Sequence, residues 1–391
     1  MSPVRTNSYA VSLLFIFNGC LFGTWAAKIP FFKQAFELDE KTLSMLLLVL
    51  AFGAVVSFPL AGRLTDKLGV QSLSKCIYLL YPIPFVGLAL SSSLQSLTIS
   101  LFFFGFLHGA MDVAMNSWAA KTESMSNKKL MPFFHAMFSL GAGLGAASSV
   151  FFVWAEIDTL VHFVVVSLFF IPLFVLLGKP SVITQPQRDS MNQQGTVKLP
   201  FIFLSAVGLI AFCCALGEGA IADWSAVIMR QEFGADMSFT GWAYATFSML
   251  MVLSRLSGHL VIEKVGVVNT VRGCSLFSLL GAMLIIVVDS PLFALIGFAF
   301  LGIGYSVIVP LVFSKAASVS PEKSGTAIAF VATFAYGGML CGPVIIGLIA
   351  HQTSLKSALY LLVSLPIYTL LTSHLLKSND VHESKQEIRI G

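Results

Sequence analysis

The sequence predicts an all-α membrane protein of twelve transmembrane helices, arranged as two six-helix pseudo-repeats. Three observations carry this: a strongly apolar composition, twelve apolar runs of about spanning length, and two short patterns that recur at one spacing. Of the 391 residues, 57% are hydrophobic and 11% are charged, against about 25% charged in a water-soluble globule. The net charge is only +4. No Lys/Arg cluster is interleaved with surface aromatics, which argues against a nucleic-acid partner and leaves the lipid bilayer as the chain's surroundings. The six Cys all lie in apolar stretches without metal-ligand spacing, so they read as small packing residues, and no cofactor or metal is expected.

A helix needs about 20 mostly apolar residues to cross the hydrocarbon layer. Runs that meet or approach this length lie at 9–27, 42–61, 72–90, 97–119, 131–153, 160–177, 199–222, 239–259, 268–288, 291–313, 325–350 and 356–376. The first lacks a small-residue cleavage site before its polar flank and reads as a retained helix. Connections are short except for the Gln-rich stretch at 178–198, which has linker composition. The expected organisation is an N-terminal bundle at 1–177, a cytoplasmic linker at 178–198, a C-terminal bundle at 199–376 and a cytoplasmic tail at 377–391. With both termini in the cytoplasm, 17 Lys and Arg fall inside and 5 outside, with Arg255 left within the eighth span. This is the positive-inside solution. Arg255, three residues before a loop, is expected to snorkel to the cytoplasmic surface.

The second-to-third connection reads Gly62 to Gly69, GRLTDKLG, and the eighth-to-ninth reads Gly258 to Gly266, GHLVIEKVG. Gly62 and Gly258 are 196 residues apart, as are Gly141 and Gly337 in two Gly-rich stretches of the fifth and eleventh spans. Duplicated bundles of this kind hold a solute site between them near the membrane midplane.

The first of these connections resembles the cytoplasmic signature loop of the major facilitator superfamily, Gly-x-Leu-x-Asp-Arg/Lys-x-Gly, at Gly62, Leu64, Asp66, Lys67 and Gly69. The second copy is degenerate, with Glu263 in place of the Asp and one inserted residue. Trp25 to Pro30, Asp112 to Asn116, His135 to Gly145 and Glu218 to Trp224 look like the MosC/YbjJ-like branch of that superfamily. The resemblance implies the major facilitator fold and a transport function. It also implies that Asp66 helps latch the cytoplasmic side in an outward-open state, with Gly62, Lys67, Gly69 and Glu263 in the same gating elements. Two departures lean away from antiport: the fifth span lacks the Pro of the exporter motif, and the fourth lacks the Arg that many relatives carry.

Ionisable residues deep in a span are costly and usually face a cavity or a partner. His108, Asp112 and Asn116 recur every four residues and share a helix stripe. His108 and Asp112 are therefore expected to form a proton-sensitive pair. Glu218 lies between Gly217 and Gly219, where local unwinding is expected to expose backbone carbonyls, and it is the first candidate for proton coupling, with Asp112 the second. Asn18, His135 and Tyr336 complete the candidate solute-binding set, with Ser139 on the face of His135. Asp223 and Trp224 fall nearer the outer end, where they read equally as interface anchors and as site residues.

No HExxH, GxSxG, P-loop or helix-opening GxGxxG occurs, which argues against an enzyme and against ATP-driven transport on this chain. The function expected is secondary active transport of a small hydrophilic solute, such as a sugar derivative, by a monomer in the inner (plasma) membrane, with proton symport. The alternatives are an exporter or antiporter, and a non-transporting sensor on the same fold.

Overall fold

A computed structural model describes residues 3–126, 130–176, 200–319 and 324–377, with backbone alone at 3, 66, 171–176, 324–326 and 329. The linker at 178–198, Lys128 and the tail beyond Lys377 lie outside the described residues. Within them the chain is helical without strands. The order is α1 (Pro3–Ala35), α2 (Glu40–Leu68), α3 (Val70–Leu80), α4 (Pro82–Ala89), α5 (Leu94–Ser124), α6 (Met131–Trp154) and α7 (Thr159–Leu176). The second half contains α8 (Phe201–Gln231), α9 (Met237–Thr240), α10 (Trp242–Val287), α11 (Pro291–Tyr305), α12 (Ile308–Val319), α13 (Ser324–Gln352), α14 (Leu355–Ala358) and α15 (Tyr360–Thr372).

Ten helical segments are long and apolar enough to cross a membrane, and Thr159–Phe170 is a shorter apolar one. One of the ten contains two passes. Before Gly266, Phe247 and Gly258 lie opposite Gly302 and Val307, so α10 runs parallel to the α11–α12 segment; after it, Gly281 meets Gly297 and Ser278 meets Gly304, which is antiparallel. The chain therefore reverses at Gly266, completing twelve passes among the described residues.

The reversal has a twin. Gly266 has φ 79 and ψ 165, and Gly69, between α2 and α3, has φ 83 and ψ 149. Only glycine adopts this region at low cost. The stretch from Gly62 to Gly69 is thus not a loop: α2 continues through Leu68 and turns on one residue.

Helix pairing repeats as well. In the first half Gly141 and Gly145 of α6 press on the backbone of Ile16 and Cys20 in α1; in the second, Gly338 and Gly342 of α13 press on Phe212 and Leu216 in α8. Likewise Gly105 of α5 meets the Leu50 carbonyl, and Gly302 meets that of Phe247. The partner of Gly141 is therefore Gly338, one residue beyond the spacing read from the sequence. The offset is 196 from Cys20 to Leu216 but already 197 from Leu50 to Phe247, so the extra residue lies between the first and second helices of the repeat, ahead of Gly258. Small residues at such crossings let backbones pack closely in a medium where apolar side chains gain nothing by leaving lipid. A Cβ on Gly105 would fall on the Leu50 carbonyl oxygen, so Gly105→Ala should cost at least about 1–3 kcal/mol of stability, read by unfolding of purified protein.

The two halves close at the end that carries Glu40. There Gly347 of α13 lies against Ser44 of α2, and Gly241 against Ala146 of α6. At the opposite end, nothing described lies within 4 Å of where a Cβ on Gly62, Gly69, Gly266 or Gly273 would be.

Candidate functional site

Two polar clusters sit where the halves face one another. The first is built on α5, whose four-residue spacing does place His108, Asp112 and Asn116 along one side. Asn116 Nδ2 donates to Asp112 Oδ1 and to the Asp112 carbonyl, both at 2.9 Å. The other carboxylate oxygen, Oδ2, accepts from Tyr336 Oη of α13, 3.2 Å away in the opposite half. Phe58 of α2 packs on Tyr336, ring centroids 5.5 Å apart.

His108 does not join Asp112. Its Nδ1 lies 2.8 Å from Tyr81 Oη, and its ring sits among Phe22, Phe104 and Phe138. The phenol satisfies the imidazole, while Asn116 and Tyr336 take the carboxylate. The expected His108–Asp112 pair is thereby corrected.

The second cluster centres on Arg255 of α10. Its Nη1 donates to Ser139 Oγ of α6 at 2.6 Å and to the His135 carbonyl at 3.3 Å; Nε donates to the Ser306 carbonyl at 3.1 Å. Its Nη2 lies 3.5 Å from Glu218 Oε1 of α8. The side chain turns inward across the gap between halves instead of snorkelling outward, because four acceptors converge on it there. One signal for this was present in the sequence: Arg255 falls within a span, where the cost argument applied to the acids holds equally. His135 contributes its carbonyl, while its ring is exposed and meets Phe15 edge-on at 5.5 Å.

Helix α8 shows no unwinding at Glu218; it is continuous from Phe201 to Gln231. Gly217 and Gly219 serve close packing instead, against the Tyr305 ring and the Met339 backbone. Tyr244 of α10 lies 6.5 Å, ring to ring, from Phe22 in the other half. One turn past Glu218, Asp223 has a buried Oδ1 without a hydrogen-bond partner. Trp224 is fully buried and donates to the Pro343 carbonyl at 3.0 Å, so it is a packing residue and not an interface anchor.

Asn18 stands apart. It is fully buried inside the first half, with Nδ2 3.8 Å from Met115 Sδ. Lys28, counted among the outer cations, is buried in α1 with Nζ 3.3 Å from Thr159 Oγ1. Of the gating candidates, Lys67 and Glu263 are exposed beside the two glycine corners, and the Asp66 side chain lies outside what is described. A carboxylate does meet a helix N-terminus nearby, but it is Glu123, whose Oε2 accepts from the backbone N–H groups of Leu130 and Met131 at the start of α6.

Twelve passes in two repeats match a known family. The model of the Major Facilitator Superfamily matches residues 11–217 and 207–389, nearly the whole chain. The chain belongs to the major facilitator superfamily. Among its relatives, "Uncharacterized transporter y4wD" of Sinorhizobium fredii is 36% identical, over 92% of this chain and 96% of that one. An uncharacterized MFS-type transporter of Yersinia pestis is 30% identical, over 92% of each. Membrane protein MosC of Rhizobium meliloti is 29% identical, over 94% and 91%. In fold, this facilitator is similar to a mutant of the nucleoside transporter NupG (TM-score 0.72, 12% identity, 95% and 98% covered). It is also similar to a bacterial homolog of the human lysosomal transporter Spinster (TM-score 0.71, 13% identity, 96% and 97% covered). It is a multi-pass membrane transporter of MFS type, with a small molecule as its substrate.

Proposed function

We propose that this facilitator is a secondary active transporter that moves a small hydrophilic, sugar-like solute across the inner membrane by alternating access, coupled to proton symport. One observation carries the reading. Each carboxylate near the midpoint of its helix is tied to the opposite half, Asp112 directly to Tyr336 and Glu218 through Arg255 to Ser139. A solute or proton that engages either group competes with a contact between halves, and so biases their relative positions.

In this reading Asp112, Asn116 and Tyr336 contact the solute, His108 and Phe22 wall the site, and Glu218 carries the coupling proton with Asp112 as its alternative. Arg255 joins the set on geometry. Asp66, Lys67 and the glycine corners gate the cytoplasmic end. The chain acts as a monomer with both termini in the cytoplasm, which makes the present conformation closed outside and open inside.

Two measurements test this. Cysteine labelling should place Lys128, Gln187 and the C-terminal tail inside, and Lys33 and Gln231 outside; Gln187 outside would overturn the topology. A thermal-shift screen of purified protein against sugars, polyols and amino compounds should reveal the solute class. A ligand at a hundredfold its Kd stabilises the folded state by about 2.7 kcal/mol. A screen in which only lipid-soluble amphiphiles stabilise the protein would exclude a hydrophilic solute.

A further inference from the structure

The tenth pass is broken where Arg255 meets it. Helix α11 ends at Tyr305 and α12 begins at Ile308, with Ser306 and Val307 outside both. In a continuous helix the Ser306 carbonyl would accept from the N–H of the fourth residue on. That residue is Pro310, which has no N–H and whose ring crowds the same carbonyl. Leu311 restarts the ladder by donating to the Val307 carbonyl at 3.2 Å. Ser306 is fully buried, and a freed backbone carbonyl inside a membrane needs a new donor. The guanidinium supplies it: Arg255 Nε donates to the Ser306 carbonyl at 3.1 Å.

The other repeat shows the same place without the proline. At the offset of 197 that relates Leu50 to Phe247, Gly105 to Gly302 and Gly141 to Gly338, Val113 stands for Pro310 and Phe58 for Arg255. There α5 runs unbroken from Leu94 to Ser124. The same offset puts Tyr336 where the first half has Ser139. The contacts of Arg255 with Ser139 and of Phe58 with Tyr336 are therefore one contact of the repeat in two chemistries. The half that uses a cation is the half with the broken pass.

We propose that Pro310 is a positioning residue for transport. By withholding an N–H it leaves the Ser306 carbonyl to Arg255, and so sets the guanidinium between Ser139 of the first half and Glu218 of the second. With Nε held inside its own half, Nη1 faces Ser139 and the His135 carbonyl, and Nη2 faces Glu218. A planar fork anchored on an uncharged carbonyl keeps its direction when Glu218 changes partner. Pro310 itself is exposed, so it acts through the backbone and not by packing.

This role rests on Arg255 as the tie between halves, and the test separates the two. The full chain is studied in lipid nanodiscs without any solute. Nitrogen-15 arginine labelling follows solvent exchange of the Arg255 Nε–H. Spin labels at Ser72 and Asn269, exposed and equivalent in the two repeats, report the population of the present conformation in an otherwise cysteine-free chain. Losing one hydrogen bond changes an equilibrium by about three- to tenfold. Pro310→Ala should speed the exchange and lower that population, each by about this factor. In an Arg255→Met background it should leave the population unchanged. Lactic acid at position 310, which lacks the N–H and the ring alike, should restore both readouts. Pro310→Ala with either readout unmoved overturns the proposal. So does an equal effect with and without Arg255, or a failure of the ester to rescue, since either makes the proline a matter of helix shape. If Arg255→Met itself leaves the population unmoved, the tie between halves is wrong and this role falls with it.

Discussion

Arg255→Met should cripple transport and destabilise the protein together, and Glu218→Gln in the same chain should restore the stability alone. Arg255 ties three elements at once: α6 through Ser139 and the His135 carbonyl, the α11–α12 junction through the Ser306 carbonyl, and α8 through Glu218. Truncation strands the Glu218 carboxylate. Removing one partner of a buried pair costs about 3–5 kcal/mol. Here the side chains are 11% and 28% exposed and the contact is 3.5 Å, so solvent screens part of the penalty and about 1–3 kcal/mol is expected. Neutralising Glu218 removes the stranded charge, which is why the double variant should recover most of that loss. Transport should stay at least tenfold down, because the tie to Ser139 across the halves is still missing. Arg255→Lys should rescue poorly, since one ammonium cannot reach the spread of acceptors that the guanidinium fork spans. Unfolding of the single and double variants, with counterflow in proteoliposomes, reads both effects. If Arg255→Met melts and transports as the unsubstituted protein does, Arg255 is not the tie between halves.

The second large effect belongs to Glu218 itself. Glu218→Gln should abolish accumulation driven by a pH gradient, bringing the inside-to-outside ratio to about one, while solute exchange between equal pools stays measurable. The amide resembles the protonated carboxyl in shape and neutrality, so it holds the coupling site in one state and leaves the rest of the site in place. In the structure it also loosens Arg255, which keeps Ser139 and the two carbonyls. Asp112→Asn differs in kind. It alters the acceptor of Tyr336 Oη and the partner of Asn116, so it should weaken solute binding as well. Accumulation at the unsubstituted ratio in Glu218→Gln would move the coupling role to Asp112 or Asp223.

What the sequence made legible was whatever depends on neighbours along the chain. Apolar runs located the passes, and the recurrence of Gly62 and Gly258 exposed the duplication. The four-residue stripe of α5 followed from helix geometry, and the cost of burying charge singled out Asp112 and Glu218. What stayed hidden depends on partners far along the chain. Tyr336 is 224 residues from Asp112 and Ser139 is 116 from Arg255, and nothing local encodes such meetings. The His108–Asp112 pair failed because i, i+4 spacing permits contact without deciding between rival partners, and Tyr81 was the nearer one. The one-residue slip in matching Gly141 arose because an insertion between the first and second helices changes the offset for the rest of the repeat.

The central claim is that both membrane faces gain access in turn to the contact between Asp112 and Tyr336. Phe58 touches that contact from α2 without belonging to the proposed site. The direct measurement is alkylation of a single cysteine at position 58, in an otherwise cysteine-free chain, by a membrane-impermeant maleimide in right-side-out and in inside-out vesicles. Labelling in both preparations is the predicted result, with the faster rate in inside-out vesicles, where the reagent meets the open end. Labelling from one face only, whatever the solute and pH, would contradict it.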